Sequence, residues 1–281
     1  MKLAIDPWLV IKNYGEEKAL EMIRKAGFDA VDYPLFRTNP DDNILGDDYL
    51  ERAANTKRLL DKYDLVCNQT HAAFGNSKFN SPMDTTHREY RDIVLGMEYS
   101  AILGAQHVVV HGVPCPMGID IVAQTVKYYR SLEPYAKQFG VKIAVENMIP
   151  SSMLNTIDLF NATLEQLDPE WFVALFDVGH AFLNHIAPET FIRKILPGRL
   201  QGLHVHDNSG VVDTHTAPYL GKIQWDYVLE ALAEVRYPGD FTFESAGGLL
   251  TPFHPRYYPE ALAFNAAIGW RMVEQLQNMM G

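Results

Sequence analysis

Cysteine is scarce in this chain: Cys67 and Cys115 are the only two among 281 residues. They form no close pair, which excludes a Cys-x-x-Cys redox motif and a cysteine-based zinc knuckle. Two such cysteines fit a reducing cytoplasm, the expected location. Long apolar runs are missing too. No stretch of about 18 apolar residues occurs, so no membrane span and no membrane partner are expected. The opening segment, Lys2-Leu3-Ala4-Ile5-Asp6, reads as a strand and lacks the regions of a secretory signal. Positive charge is in deficit, with 24 Lys and Arg against 35 Asp and Glu and a formal net charge of −11. Proteins that grip nucleic acid present a basic face to the phosphates. The acidic total argues against a nucleic-acid partner, although a local basic groove stays compatible with it. No Gly-x-Gly-x-x-Gly follows the first strand-like run, and no P-loop occurs.

What is present is an alternation. Apolar runs lie at 3–6, 28–33, 65–71, 107–111, 141–146, 172–177, 200–206 and 241–244. They are rich in Val, Ile and Phe with little polar alternation, as in parallel strands covered on both faces. Segments with helical spacing separate them, including 14–26, 85–103, 118–139 and 225–235. Gly27, Gly104 and Gly140 each close such a segment before a strand, the usual place for a helix C-terminal glycine. Eight β-then-α units at about 35 residues each fit a barrel, which needs about 250 residues. The predicted fold is therefore α/β, a (β/α)8 TIM barrel forming a single domain over residues 1–281.

A barrel places its chemistry at the C-terminal strand ends. Here those ends carry His71, His111, Glu146, Asp177, His204 and Glu244, with His180, His206, Asp213 and His215 close behind. A single acid at a strand end is more often a helix cap than a ligand. A ring of carboxylates and imidazoles is different, because it would repel itself and suffer desolvation unless a cation sat at its centre. The mixed oxygen and nitrogen donors suit a divalent metal: Mn, Mg, Co or Zn. The other histidines read as structural or surface: His107 begins its strand, at the opposite end, and His87, His185 and His254 fall in helices or loops. His206 is open between lining the pocket and simple hydrogen bonding. Trp8 and Phe36 could wall a pocket or cap the core. Arg37, Lys78 and Arg256 are the loop cations near these ends, and Gly247-Gly248 could offer backbone N–H groups to a phosphate. The aromatic, proline-rich segment 247–259 reads as a loop that lids the site or packs on another subunit. With Trp270, Met272, Met279 and Met280 in the final helix, it points to a homo-oligomer.

At these residues the sequence resembles the xylose-isomerase-like barrel superfamily. That group contains sugar isomerases and epimerases, inosose dehydratases and DNA repair enzymes of the endonuclease IV type. The resemblance runs through the whole chain and is most specific in five segments. They are Ala144-Val145-Glu146-Asn147, Phe176-Asp177-Val178-Gly179-His180, Leu203-His204-Val205-His206-Asp207, Phe243-Glu244-Ser245 and Gly221-Lys222-Ile223-Gln224-Trp225-Asp226. It implies one metal held by Glu146, Asp177, His204 and Glu244, with the two glutamates as an acid/base pair and His180 as a substrate hydroxyl contact. Proton transfer next to a carbonyl of a sugar, sugar phosphate or inositol-like substrate would follow, ending in isomerisation, epimerisation or, with His180 or His206 as a further acid, dehydration.

The repair enzymes bind three zinc ions through nine ligands. This chain offers a candidate for each: His71, His111, Glu146, Asp177, His180, His204, Asp213, His215 and Glu244. It departs from them in Ala72-Ala73-Phe74-Gly75 and in Thr216-Ala217-Pro218-Tyr219-Leu220-Gly221, and no set of DNA-penetrating residues is evident. A metal-dependent sugar isomerase or epimerase leads. A zinc phosphodiesterase acting on abasic DNA is the alternative, and a non-catalytic barrel is the third possibility.

Overall fold

Val, Ile, Leu and Phe dominate most of the strands, and the strands are buried along nearly their whole length. The computed structural model describes residues 1–36, 43–74, 85–149, 151 and 153–281. Its strands are β1 (Leu3–Ile5), β2 (Ala30–Pro34), β3 (Val66–His71), β4 (His107–Val110), β5 (Lys142–Glu146), β6 (Phe172–Asp177), β7 (Leu200–His204) and β8 (Phe241–Phe243). All pair in parallel, in the order β7-β6-β5-β4-β3-β2-β1-β8. A parallel bridge between Val205 and Phe243 draws β7 to β8 and nearly closes the ring. Helices lie between the strands, so the fold is a TIM barrel.

The helix stripes appear where the spacing puts them. Glu16–Ala26 buries Ala19, Leu20, Met22 and Ile23. The expected 14–26 helix begins earlier and is split: Trp8–Tyr14 ends at Gly15, whose φ of 77° breaks the spiral before Glu16. Gly27, Gly104 and Gly140 cap their helices in the left-handed region. His87 and His254 cap as well, accepting from the N–H of Glu89 and Arg256 respectively.

Segment 247–259 is no plain loop. Ala246–Leu250 is helical, with Leu249 and Leu250 buried in the chain's own core. Gly248 spends its N–H on the carbonyl of His215, so it offers none to a phosphate. Arg256 leans on its neighbour Tyr257. In the final helix, Tyr258–Met280, Met272 is buried and the Trp270 indole donates to the Gly27 carbonyl. Arg37, Gly75 and Lys78 lie outside the described residues.

The inside of the barrel is divided. Val109, Ala144, Val173 and Leu175 form an apolar plug separate from the large core between strands and helices. On the side of β2, β3 and β8 the filling is polar, with Asp32, Asn68, Gln69 and Thr242 all buried. Among the described residues no helix is long and apolar enough to cross a membrane.

Candidate metal centre

Parallel strands bring their C-terminal ends to one face of the barrel. β3 ends on His71, β5 on Glu146, β6 on Asp177 and β7 on His204, while His111 and Glu244 directly follow β4 and β8. The His204 Nδ1 atom stands 3.2 Å from Glu146 Oε1, 3.1 Å from Glu244 Oε2 and 3.8 Å from Asp177 Oδ2. One donor atom from each of these four residues lies within 4.8 Å of the others. Glu146, Asp177 and His204 are fully buried, and Glu244 is partly open to solvent.

Two further groups flank this one. Glu146 turns its second oxygen, Oε2, towards His111 Nε2 at 3.1 Å and His71 Nε2 at 4.0 Å. On the other side His180, His206, Asp213 and His215 gather within the same 4.8 Å limit. Asp213 Oδ2 lies 3.0 Å from His215 Nε2 and 3.5 Å from His180 Nε2. His206 Nε2 is 3.1 Å from both oxygens of Asp177, and its ring stacks on His215 at 3.9 Å. All ten strand-end residues singled out from the sequence thus meet in one basin.

Local sequence explains how they are held. The Asn147 side chain clamps the ends of β5 and β6, accepting from Asp177 N at 2.7 Å and donating to Asp177 O at 2.9 Å. The Asn147 carbonyl accepts from His180 Nδ1 at 2.9 Å. Asp177 caps the helix Val178–Leu183 through the N–H of His180. Glycine is required at 179, because a Cβ there would lie 2.0 Å from His206 Cε1. Past β7, the buried Asp207 carboxylate accepts from the N–H groups of Asn208, Tyr219 and Ile223 and from the Trp225 indole. The segment carrying Asp213 and His215 is wrapped around that one carboxylate.

Four imidazoles share a design in which one ring nitrogen donates to a fixed acceptor and the other faces the basin. His71 Nδ1 donates to Ala72 O, His180 Nδ1 to Asn147 O, His215 Nδ1 to Glu244 O and His204 Nε2 to Asp32. Metal-ligating histidines are typically fixed in this way. Burial opposes ionisation of Glu146, but the imidazoles of His204 and His111 outweigh it and hold the carboxyl well below the usual range. Glu244 is lowered likewise by His204 and His215 against burial. Burial would depress His204, yet Glu244 and Glu146 carry it well above its ordinary value. His180 and His215 are pushed up to about 10: against burial, Asp177 and Asp213 act on the first, and Glu244 and Asp213 on the second. His71 moves down through burial and the neighbouring His111.

The donor set fits a divalent cation. Asp213 Oδ1 and His206 Nδ1 are buried without a hydrogen-bond partner, a costly state for polar atoms that face nothing positive, and Glu146 and Glu244 turn their Oε2 atoms into the same basin. Mixed carboxylate and imidazole donors suit Mn, Co, Zn or Mg.

Phe36 stands edge-on to His71 at 5.6 Å and packs on Phe74, which lies 4.8 Å from His111. Together they wall the basin on that side. Trp8 is half-buried against Gly247, just past β8. Sequence reasoning passed over Phe74 as a wall, and also Asp6, Asp32 and Gln69. Burial and the nearby Asp32 and Glu244 carboxylates push the Asp6 carboxyl well above its usual range. One signal was available: Asp32 is a carboxylate inside the otherwise uncharged, fully buried strand Ala30–Pro34.

A family model described as a xylose isomerase-like TIM barrel matches residues 20–268. The uncharacterised protein y4fM of Sinorhizobium fredii is 24% identical over 289 residues, covering 89% of this chain and 87% of that protein. Among solved structures, a D-tagatose 3-epimerase-like protein superposes with a TM-score of 0.76 at 21% identity, covering 100% of this chain and 98% of that one. An IolI protein with a bound zinc atom gives a TM-score of 0.74 at 19% identity, covering 98% of each chain. Identities this low speak for the fold alone. The family match spans most of the length, and the chain belongs to the xylose isomerase-like TIM barrel family.

Proposed function

We propose that this protein is a divalent-metal-dependent isomerase or epimerase of a sugar or sugar derivative. One observation carries it: Glu146, Asp177, His204 and Glu244 converge from four strand ends with donor atoms within 4.8 Å of one another. Likeness to an epimerase-like barrel and to a zinc-bearing barrel supports the same assignment. These four residues would hold the cation. When bound, it supplies Lewis-acid polarisation of a substrate carbonyl and an adjacent hydroxyl. Glu146 and Glu244 come from opposite ends of the arc β5 to β8, so they flank whatever lies between them. One glutamate takes the proton from the carbon beside the carbonyl, and the other returns it. Return to the opposite face of that carbon gives the epimer; return to its neighbour gives the isomer. Phe36 and Phe74 exclude water from one side and offer apolar rings to a sugar face.

The test begins with elemental analysis of protein purified without chelator or affinity metal. About one divalent ion per chain is expected at the four-donor site. Incubation with a panel of ketoses and sugar phosphates in D2O should then place deuterium next to the carbonyl of the true substrate. Glu146→Gln and Glu244→Gln should each slow that exchange by at least about 100-fold. Intact exchange in both variants would sink the mechanism.

A second reading has its own observation. The flanking groups His71/His111/Glu146 and His180/His206/Asp213/His215 could hold further ions beside the first, an arrangement suited to phosphodiester hydrolysis. Two or three zinc ions per chain and cleavage of abasic DNA would put the phosphodiesterase first.

A further inference from the structure

Beneath the donor ring lies a buried polar row that the proposed chemistry does not touch. Asp32 in β2, Gln69 in β3 and His107 in β4 are register partners across three adjacent strands. The β2–β3 register slips between Val31 and Asp32, and such a bulge re-aims side chains. Consecutive residues Asn68 and Gln69 therefore both reach inward. Asn68 Nδ2 donates to Thr242 Oγ1 at 2.8 Å, and Gln69 Nε2 donates to Asp32 Oδ2 at 2.8 Å. The same oxygen of Asp32 lies 2.9 Å from His204 Nε2.

Directions of donation follow from the carboxylate. An ionised carboxylate only accepts, so the Gln69 amide turns its NH2 to Asp32 and its oxygen to His107, which donates from Nε2 at 3.1 Å. By the same logic His204 donates from Nε2. The 3.0 Å approach of Gln69 Nε2 to His204 Nε2 is then two donors converging on one oxygen. Nδ1 of His204 faces Glu146, Asp177 and Glu244, so a cation that took the place of its proton would meet a lone pair there. Asp32 is 1% exposed, and among the described residues its hydrogen bonds come from Gln69 and His204. A carboxylate so placed is expensive unless a positive partner faces it.

We propose that Asp32 is a positioning residue that locks His204 with its proton on Nε2 and Nδ1 open to a cation, and that Gln69, clamped by His107, holds Asp32 in place. The inference rests on His204 being a metal ligand. Zinc and cobalt affinities of the full-length protein, Asp32→Asn, Asp32→Leu and His204→Ala are to be measured by competition with a chelating dye. Asp32→Leu removes both charge and acceptor, and its affinity should fall about 10- to 100-fold. Asp32→Asn keeps an acceptor of the same shape, so its loss should be smaller. In the unmutated zinc-loaded protein, nitrogen NMR of the His204 ring should show the proton on Nε2.

A proton on Nδ1, or unchanged affinity in both Asp32 variants while the wild type binds zinc, overturns the inference and leaves the metal centre standing. A wild type that binds neither ion, like His204→Ala, removes the metal assignment and this inference with it. The NMR arm needs no variant, so poor folding of Asp32→Leu leaves the outcome decided.

Discussion

His206 leaves no room for a side chain at position 179, where a Cβ would fall 2.0 Å from its ring. Helix propensity alone would favour alanine there by about 1 kcal/mol, so glycine is retained against the local preference. Gly179→Ala should destabilise the protein by about 1–3 kcal/mol through overpacking, measured as a shift in urea midpoint. In a His206→Ala background the same change should become neutral or stabilising. A similar cost in both backgrounds would show that the clash is not the cause. The strand-end residues Glu146, Asp177, His204 and Glu244 were legible from sequence because a charged group after an apolar run stands out, whereas the need for glycine at 179 was not, since it depends on His206 packing from beyond β7. Asp32 and Gln69 were not legible either, because their inward aim depends on a bulge that resets the period-two alternation of β3 and leaves no mark in composition.

Among the elements, the segment from β7 to the helix Trp225–Glu234 is organised by Asp207. Three N–H groups and an indole converge on its two oxygens. Gly221 is packed so closely that a Cβ would lie 2.1 Å from Asp207 Oδ1. Asp207→Ala strands several buried donors at once, and a loss of roughly 3 kcal/mol is expected from unsatisfied polar groups. Asp213 and His215 should lose their placement with it. Thermal unfolding gives the first effect, and a change in the NMR shifts of the His215 ring, which bonds Asp213 and the Glu244 carbonyl, gives the second. If both match wild type, Asp207 does not organise the segment. The sequence motif from Gly221 to Asp226 was visible, but its reason was not, since the carboxylate it folds around lies fourteen residues upstream of Gly221. The short helix Ala246–Leu250 escaped notice for the opposite reason. Its two glycines read as loop, whereas they serve to fit against Trp8 and the carbonyls of Thr214 and His215.

At the scale of the whole molecule, eight apolar runs separated by amphipathic segments were enough to specify the barrel, because burial on both faces is what parallel strands require. How its interior is filled was beyond such reasoning. His107 belongs to that filling, and burial lowers its imidazole from 6.5 to about 4. A histidine neutral in the fold and protonated when unfolded contributes stability above its unfolded value. That contribution is lost as pH falls from 6.5 towards 4, up to on the order of 3 kcal/mol. In metal-free protein, wild type should therefore lose more stability between pH 7 and pH 4.5 than His107→Gln does. Parallel declines would remove His107 from the account.

Barrels are commonly refitted by exchanging the loops above the strands while the cylinder below is kept as neutral scaffolding. Here the cylinder is not neutral. Part of its filling is wired to His204 through Asp32 and Gln69, so a graft of new loops would inherit the same hydrogen-bonded imidazole. Conversely, replacing the polar filling with aliphatic side chains to harden the scaffold would release the His204 ring from below, without changing a single residue of the rim.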